Sequence, residues 1–323
     1  MTKTALKLAS VSALALALAS SAMAEIKLND TFSVSGYVAG SYQYNKVKAA
    51  VATDHFDVDS SQLLFKYSSA PVTGVASVYF VPNQKPDEAT ILDAYATYDA
   101  GNGVSVTGGK FLSPLGYESF FVVNNPEITG ANGGIGSIPG YHSGVKVDYS
   151  DKDWGYGAAI LDSVYGATAL KGDGELKKGQ GYEGYVTYKG VTDLTIFVGG
   201  AFDNQSAVSG KDIATYDVWA SYQVDKQTLV AAEYSARDGG SRTDKGSNWL
   251  FLLSYQFTDK VNTAFRVSGE KDNDAGGKFV KYTVAPGLAL TKELTVRAEY
   301  SMTEGSGTTP NSNFFGVQAY LKF

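Results

Sequence analysis

The two histidines of the chain, His55 and His142, are the first residues whose chemistry could indicate a metal or catalytic site. A zinc or iron site needs roughly three or four convergent ligands. The chain has no cysteine, and its two histidines lie far apart in the sequence. The sequence therefore predicts no metal centre and no cofactor.

His142 is followed by Ser143, a pair that invites comparison with serine hydrolases. Adjacent residues of a strand point to opposite faces, so these two side chains are not expected to form a hydrogen-bonded pair. We expect His142 to be a solvated residue of an interior. The chain is not predicted to be an enzyme, and an assay of a Ser143→Ala variant would decide the remaining hydrolase alternative.

Glycine-rich pieces at 133–137 and 155–159 resemble phosphate-binding loops only in composition. Neither lies between a parallel strand and a helix, and no G-x-x-x-x-G-K-[ST] motif occurs. Carboxylates are numerous, but no pair stands out as the acid and base of a glycosidase. These residue types therefore leave transport as the function to examine.

The first 24 residues are predicted to be a cleaved signal peptide. Lys3 and Lys7 precede an apolar run at 8–20, and Ala22-Met23-Ala24 has the form of a cleavage site. The run is too short for a membrane helix, which needs about 20 residues. Removing it takes away two lysines and no acid, which changes the formal net charge from −6 to −8. An acidic exported chain is a poor nucleic-acid binder.

The remaining residues, 25–323, show one repeated pattern and are expected to form a single domain. In residues 31–45, one face carries Phe32, Val34 and Val38, and the other carries mostly small polar side chains. Similar alternation predicts sixteen strands, with fourteen as an alternative count. They lie near 31–45, 55–68, 74–82, 89–99, 103–111, 140–149, 155–165, 181–189, 193–204, 213–223, 228–237, 247–257, 262–270, 278–288, 293–303 and 313–323.

The connections between these strands alternate in length, which is typical of outer-membrane barrels. Those near 69–73, 100–102, 150–154, 190–192, 224–227, 258–261 and 289–292 are short. Those at 46–54, 83–88, 112–139, 166–180, 205–212, 238–246, 271–277 and 304–312 are mostly longer or more polar. The predicted fold is an all-β transmembrane antiparallel barrel, with the third long connection folded inward.

The direction of the two faces follows from the width of such a barrel. A barrel of about eight strands can be filled by side chains, whereas one of roughly 16–18 leaves an aqueous channel. The apolar face must then point outward, into lipid, and the polar face inward. Tyrosines near the strand ends would form the interfacial girdle; they are Tyr42, Tyr44, Tyr149, Tyr188, Tyr222, Tyr255 and Tyr300.

Charged residues on the more polar face are candidates for lining a pore, although each could instead belong to a structural ion pair. The candidates are Lys146, Asp217, Glu233, Arg266, Lys281, Arg297 and Glu299. Lys110 shares parity with apolar Val104 and Val106 and would point inward only if a bulge at Gly108-Gly109 resets the alternation.

Two stretches resemble a known family. The C-terminus, NFFGVQAYLKF, alternates to a final Phe323 and looks like the last strand of bacterial outer-membrane barrels. GKFLSPLGYE at 109–118 and PGYHSGVKVDY at 139–149 resemble the OmpL-like β-barrel porin family. The resemblance implies an outer-membrane protein of a Gram-negative bacterium. It also implies recognition of the C-terminal strand by the barrel assembly machinery, with a homotrimer as a family-level expectation.

The predicted function is a water-filled channel for passive diffusion of small hydrophilic solutes and ions. Connection 112–139 would narrow it, with Lys110, Glu118 and Glu127 at the constriction. Because that connection carries two acids and no base, we expect a mild cation preference. A non-conducting barrel that serves as an adhesin or structural anchor is the alternative.

Overall fold

The structure, a computed structural model, describes residues 25–81, 89–131, 136–165, 180–204, 212–239 and 245–323. The predicted signal peptide lies outside the described residues. So do most or all of the predicted connections 83–88, 166–180 and 205–212, and parts of those at 112–139 and 238–246.

The described residues form seventeen strands and one short 3₁₀ helix, Val122–Asn124. The strands are β1 (Ile26–Lys27), β2 (Phe32–Val47), β3 (Thr53–Ser69), β4 (Val72–Phe80), β5 (Ala89–Gly101), β6 (Val104–Leu112), β7 (Tyr141–Ser150), β8 (Trp154–Leu161), β9 (Gln180–Tyr188), β10 (Leu194–Asn204), β11 (Ile213–Gln223), β12 (Thr228–Gly239), β13 (Gly246–Gln256), β14 (Val261–Asp272), β15 (Lys278–Ala289), β16 (Leu294–Ser306) and β17 (Ser312–Lys322).

Each strand from β2 to β17 pairs antiparallel with its neighbour in sequence, and β17 pairs with β2 to close the barrel. The prediction of a sixteen-stranded antiparallel barrel is confirmed. The additional β1 pairs with β2 through Ile26 and Lys27. It was not predicted, because two residues are too few to show alternation. No helix in the described ranges is long and apolar enough to cross a membrane.

The connections alternate as predicted, and side chains in the short turns explain their tightness. In four of these turns one side-chain oxygen accepts hydrogen bonds from backbone N–H groups two and three residues later, as in Asx and ST turns. The accepting residues are Asp151, Asp225, Thr258 and Thr291. In the β5–β6 turn, Asn102 and the glycines on either side of it have positive φ, as Asn-Gly hairpin turns require.

Burial separates the two faces of the barrel wall. On β11, Tyr216 and Tyr222 are 62% and 42% exposed, whereas Asp217 is 2% exposed. The exposed face is apolar along the other strands too. Of the predicted girdle residues, Tyr44, Tyr149, Tyr222 and Tyr300 are exposed and the other three are half-buried. Such a surface suits contact with lipid.

The inner face is not polar throughout, which corrects the predicted distribution. Buried apolar side chains of β10 to β14 face inward and form one cluster with residues of the long β6–β7 connection. From the wall come Phe197, Trp219, Ala231, Leu250, Leu252 and Ala264. The third long connection was predicted to fold inward, but alternation does not show which part of the wall it covers.

Candidate functional site

The connection between β6 and β7, residues 113–140, is hereafter called the long loop, and much of it is buried. Leu115, Tyr117, Val123, Ile128 and Ala131 are each at most 6% exposed. Their contacts are with the face of the wall opposite to the exposed apolar face. The long loop therefore packs inside the barrel, where burying these side chains removes apolar surface from water.

The first region of the wall against which the long loop packs is apolar. Leu115, Tyr117 and Ala131 pack into the cluster of β10–β14. The ring of Tyr117 meets that of Trp219 edge to face, with the centroids 5.5 Å apart. Trp219 in turn stacks on Phe197 at 5.2 Å. Such aromatic contacts add to the stabilisation that burial gives, by about 0.5–1.5 kcal/mol for each pair.

Two wall carboxylates bind the backbone beside this seat. The N–H of Gly116 donates to Oδ2 of Asp217 at 2.8 Å, and the N–H of Tyr117 donates to Oε1 of Glu233 at 2.6 Å. Both acids are nearly fully buried. They satisfy loop N–H groups that would otherwise be buried without partners.

Arg266 on β14 is the centre of an ionic cluster, hereafter the latch cluster, formed with Glu118 and Glu127 of the long loop. Its Nη1 forms a hydrogen-bonded ion pair with Oε1 of Glu118 and lies 3.7 Å from Oε2 of Glu127. Its Nη2 donates to the carbonyl oxygens of Thr129 and Gly130 at 2.9 and 3.3 Å. One guanidinium thus binds both arms of the loop.

Glu299 and Lys281 of the neighbouring strands complete the latch cluster. The N–H groups of Ile128 and Thr129 donate to Oε2 of Glu299 at 2.6 and 2.9 Å. Nζ of Lys281 donates to Oγ1 of Thr129 at 2.9 Å and to the carbonyl oxygen of Gly130 at 2.7 Å. Three acids and two bases therefore meet at this seat.

The 3₁₀ turn of the long loop is held by two bases from β16 and β17. Arg297 donates to the carbonyl oxygens of Val122 and Asn125, and its remaining donors reach Oε1 of Gln318. Nζ of Lys322 donates to Oδ1 of Asn124 at 3.0 Å. Cations at the carbonyl end of a helical turn are electrostatically favourable.

The aromatic tip of the long loop, Phe120 and Phe121, reaches a different part of the wall. Phe121 lies against Tyr37 and Tyr79 with ring centroids 6.1 and 5.6 Å away. Phe120 contacts Tyr79 and the ring of Tyr141, the latter at 5.3 Å. The loop therefore contacts β2, β4 and β7 as well as the β9–β17 side.

The returning arm of the long loop is fixed at Ser137. Oγ of Ser137 lies 2.8 Å from Oγ of Ser235 and accepts from Nδ2 of Asn248 at 2.6 Å. Its carbonyl oxygen accepts from the hydroxyls of Tyr165, at 3.0 Å, and Thr215. Tyr165 lies in the described start of the β8–β9 connection, so that part of a second connection also contacts the long loop.

Two predicted site residues, Lys110 and Lys146, have partners on the barrel strands. Lys146 pairs with Asp148, with Nζ 3.1 Å from Oδ2, and both side chains keep part of their surface exposed. Lys110 donates from Nζ to the carbonyl oxygen of Ile91 at 2.8 Å. The pairings of β6 with β5 and β7 run unbroken through Gly108 and Gly109. The bulge that an inward Lys110 requires is thus absent at that point.

His142 differs from expectation, since it is fully buried rather than solvated. Its Nε2 lies 3.5 Å from Oε2 of Glu183, and its ring meets that of Phe111 edge to face. Ser113, the first residue of the long loop, donates to Oε1 of Glu183 at 2.6 Å. Phe111 of β6 and Glu183 of β9 contact the buried histidine, which the alternation of the sequence alone could not indicate.

The loop carboxyl Glu127 has an altered proton affinity. Burial raises the pKa of Glu127 to about 7, although the nearby Arg266 guanidinium acts in the opposite direction. Glu118 and Glu299 add to the increase through charge repulsion. The carboxyl of Glu127 can therefore gain or lose its proton near neutral pH.

Sequence analysis missed several residues that hold the long loop, among them Ser137, Glu183, Gln318 and Lys322. The last three share the inward parity of their strands, so extending the parity argument to every polar inward residue would have found them. Ser137 had no such signal, because loop residues lack alternation. Within the described ranges, no group of three or more His, Asp or Glu side chains is placed to hold a metal ion.

Comparisons with known proteins agree on the architecture. The sequence model of the family described as "Putative beta-barrel porin-2, OmpL-like" matches residues 31–323. No curated protein matches the chain. The barrel is similar to three solved structures, which show the fold alone at these identities.

An anion-selective porin from Comamonas acidovorans has a TM-score of 0.68 and 11% identity, with 91% of this chain and 99% of that one covered. OprB of Pseudomonas putida has a TM-score of 0.69 and 12% identity, with 91% and 94% covered. The trimer form of OmpT from Vibrio cholerae has a TM-score of 0.63 and 15% identity, with 91% and 100% covered.

Proposed function

Because the chain belongs to the OmpL-like β-barrel porin family, we propose that it forms a water-filled channel in a bacterial outer membrane, through which small hydrophilic solutes and ions diffuse passively. The observation that carries the proposal is the long loop seated inside a sixteen-stranded barrel. A barrel this wide leaves an aqueous interior, and a loop anchored to its inner wall reduces the cross-section that solutes can use.

The proposed constriction lies between the long loop and the part of the inner wall that the loop leaves accessible. Among the described residues, most hydrogen bonds between the loop and the wall go to β9 and to β11–β17, where the acids and bases are buried except for the half-buried Lys281. On β7, by contrast, the side chains of Lys146 and Asp148 are 20% and 14% exposed. We place the solute path beside this pair, with the latch cluster, including Glu118 and Glu127, fixing the position of the loop.

The direct test is reconstitution of the folded protein into a planar lipid bilayer. Stepwise conductance increments are expected, because each inserted barrel adds one aqueous path. Properly folded protein that gives no increments would contradict the channel proposal and leave a non-conducting barrel. Lys146→Gln should change the single-channel conductance, whereas Lys271→Gln, on the outer face at the end of β14, should not.

A mild cation preference is the proposed selectivity. Without its first 24 residues the chain has a formal net charge of −8, and the side chain of Glu118 on the long loop is 16% exposed; acidic linings favour cations. The similar porin from Comamonas acidovorans is described as anion-selective, so the fold does not decide the sign. A reversal potential measured in a KCl gradient tests it, and anion preference would contradict this assignment.

We also propose a homotrimer, as in the similar trimer form of OmpT. Chemical cross-linking of the protein in native membranes should give a ladder that ends at three subunits. A ladder that ends at one subunit, under conditions that cross-link a known trimeric porin, would refute the trimer without affecting the channel proposal.

A further inference from the structure

A basic depression lies on the outer surface of the barrel, where the ends of β2, β16 and β17 meet their long connections. Its volume is about 360 Å³. Two lysines, Lys46 and Lys48, are both exposed and form one side. The depression is lined by Lys46, Lys48, Met302, Thr303, Glu304, Asn311, Ser312 and Asn313.

Strand register places this depression relative to the lipid-facing surface. Lys46 is paired with Asn313, and Asn313 with Met302, so these three residues form one row across β2, β17 and β16. The next row on the same face, two residues further into each strand, consists of Tyr44, Phe315 and Tyr300. All three of these aromatic side chains are exposed.

An aromatic row of this kind marks the boundary between the hydrocarbon and the headgroups of a bilayer. The depression lies just beyond it on the side of the long connections, which is the outer side in barrels with short periplasmic turns. Whatever occupies the depression is thus at headgroup height and borders the acyl chains. A lipid of the outer leaflet meets both conditions, whereas a freely dissolved solute meets only the first.

The charges in the depression favour an anion. Nζ of Lys46 donates to the carbonyl oxygen of Ala50 at 2.7 Å, which holds the ammonium near the depression. An ammonium has three donors, so two remain. Lys48 adds a second positive charge, while the carboxylate of Glu304 lines the opposite side. Two ammonium groups against one carboxylate leave a net positive site, and lysine is a common phosphate ligand.

We propose that this depression binds the phosphorylated headgroup of an outer-leaflet lipid, with Lys46 and Lys48 as phosphate ligands and the acyl chains lying along Tyr44, Phe315 and Tyr300. The proposal depends on the membrane placement in the proposed function but not on conductance. A barrel that conducts without binding such a lipid, or binds it without conducting, would separate the two.

The test is native mass spectrometry of the detergent-solubilised full chain titrated with bisphosphorylated lipid A. The variant is Lys46→Gln with Lys48→Gln. The matched control is Lys271→Gln with Lys278→Gln, because these exposed lysines are directly paired on the outer face at the same end of the barrel but outside the depression. Heat-modifiable gel mobility checks that both variants fold.

The expected result is a weakening of lipid A binding by roughly thirtyfold in the first variant and by less than about threefold in the control. An exposed ion pair contributes up to about 1 kcal/mol, so two phosphate contacts correspond to about 2 kcal/mol, and the control lysines make neither contact. Equal loss in both variants would overturn the proposal, since binding would then be general attraction to a basic rim. Equal binding of fully dephosphorylated lipid A would also overturn it.

A parallel titration with inorganic phosphate distinguishes a lipid headgroup from free phosphate as the ligand of the depression. Competition by millimolar phosphate that fully displaces lipid A would show that the depression is a site for free anions, and would overturn the assignment to a lipid. Retention of lipid A under these conditions supports the proposal, because only a lipid also contacts the aromatic row.

Discussion

Arg266 contacts both arms of the long loop, and its removal is the most informative single change. Arg266→Met keeps much of the apolar stem but leaves Glu118 and Glu127 without their cation. Removing one partner from a buried ion pair typically costs about 3–5 kcal/mol. We expect the loop to leave its seat part of the time, which would appear as larger and noisier single-channel conductance.

A matched control for this variant is Lys271→Met, which removes a base from the exposed outer face at the end of the same strand. It should leave both conductance and protease resistance unchanged. Limited proteolysis within residues 113–140 gives a second measurement. If Arg266→Met resists cleavage and conducts as the original chain does, the guanidinium does not hold the loop.

Glu127 should make the seating of the loop depend on pH. Burial raises the pKa of its carboxyl to about 7, so the seated form holds the proton more tightly than the free form, whose pKa lies near 4.5. Seating is then strongest below about pH 4.5 and weakens as the pH rises through about 7. Glu127→Gln should remove this dependence and make the loop more protease-resistant at pH 8.

The measurement for Glu127→Gln is the rate of loop cleavage at pH 5 and pH 8, with a protease active at both. The original chain should be cleaved faster at pH 8 after correction for the protease's own pH profile. Conversely, equal corrected rates in the original chain would mean that the proton on Glu127 does not control seating.

For single residues, alternation along a strand predicted which face of the wall a side chain occupies but not which groups it contacts. Asp217, Glu233, Arg266 and Glu299 were assigned to the inner face, and the structure places them at the interface with the long loop. Their partners are backbone groups of the loop and, for Arg266, also two loop carboxylates. The path of a segment without periodicity cannot be derived from alternation. The sequence could not tell a solvated lining residue from a loop anchor.

The long loop as an element was predicted to fold inward because its apolar side chains would be a liability in water. The part of the wall on which the loop packs was not predicted, although the sequence of that part contains an indication. Residues 249–253, WLFLL, are apolar on both faces of β13, which is typical of a strand buried on both sides. Trp249 and Phe251 are exposed on the outer face, whereas Leu250 and Leu252 belong to the cluster on which the loop packs.

A disulfide between the long loop and the wall would test whether the loop must move during conduction. Ser137 and Ser235 have their Oγ atoms 2.8 Å apart, and the chain has no cysteine to interfere. We expect Ser137→Cys with Ser235→Cys to oxidise readily. Conductance should be the same before and after reduction, because the proposed constriction is the seated state of the loop.

The two single cysteine variants serve as controls for the modification itself. A conductance that rises on reduction of the double variant, but not of the single variants, would show that the loop leaves its seat in the open channel. The constriction would then be a gate rather than a fixed narrowing.

For the molecule as a whole, the barrel was predictable because its strands are long and alternate regularly. Each of the sixteen predicted segments overlaps one strand of the closed sheet. Register was not predictable, because it depends on irregularities that alternation does not show. The β2–β3 pairing shifts at Ala39 and Gly40, and the β4–β5 pairing shifts between Ala76 and Val78.

The barrel closes where β2 meets the C-terminal strand. Gly36 on β2 and Phe323 exchange backbone hydrogen bonds of 2.7 and 2.9 Å, which end the pairing of the first long strand with the last. A Cβ added at Gly36 would lie 2.4 Å from the carbonyl oxygen of Gln62 and 3.0 Å from the Phe323 ring. Gly36→Ala therefore requires a backbone shift where the barrel closes, and such overpacking costs about 1–3 kcal/mol.

Gly74→Ala is the matched control, because its Cβ would meet only ordinary contacts, at 3.8 Å from Tyr67 and 3.9 Å from Tyr95. Folding into detergent micelles, measured by heat-modifiable gel mobility, should give a lower folded fraction for Gly36→Ala than for Gly74→Ala. Equal fractions would mean that the seam accepts a methyl group.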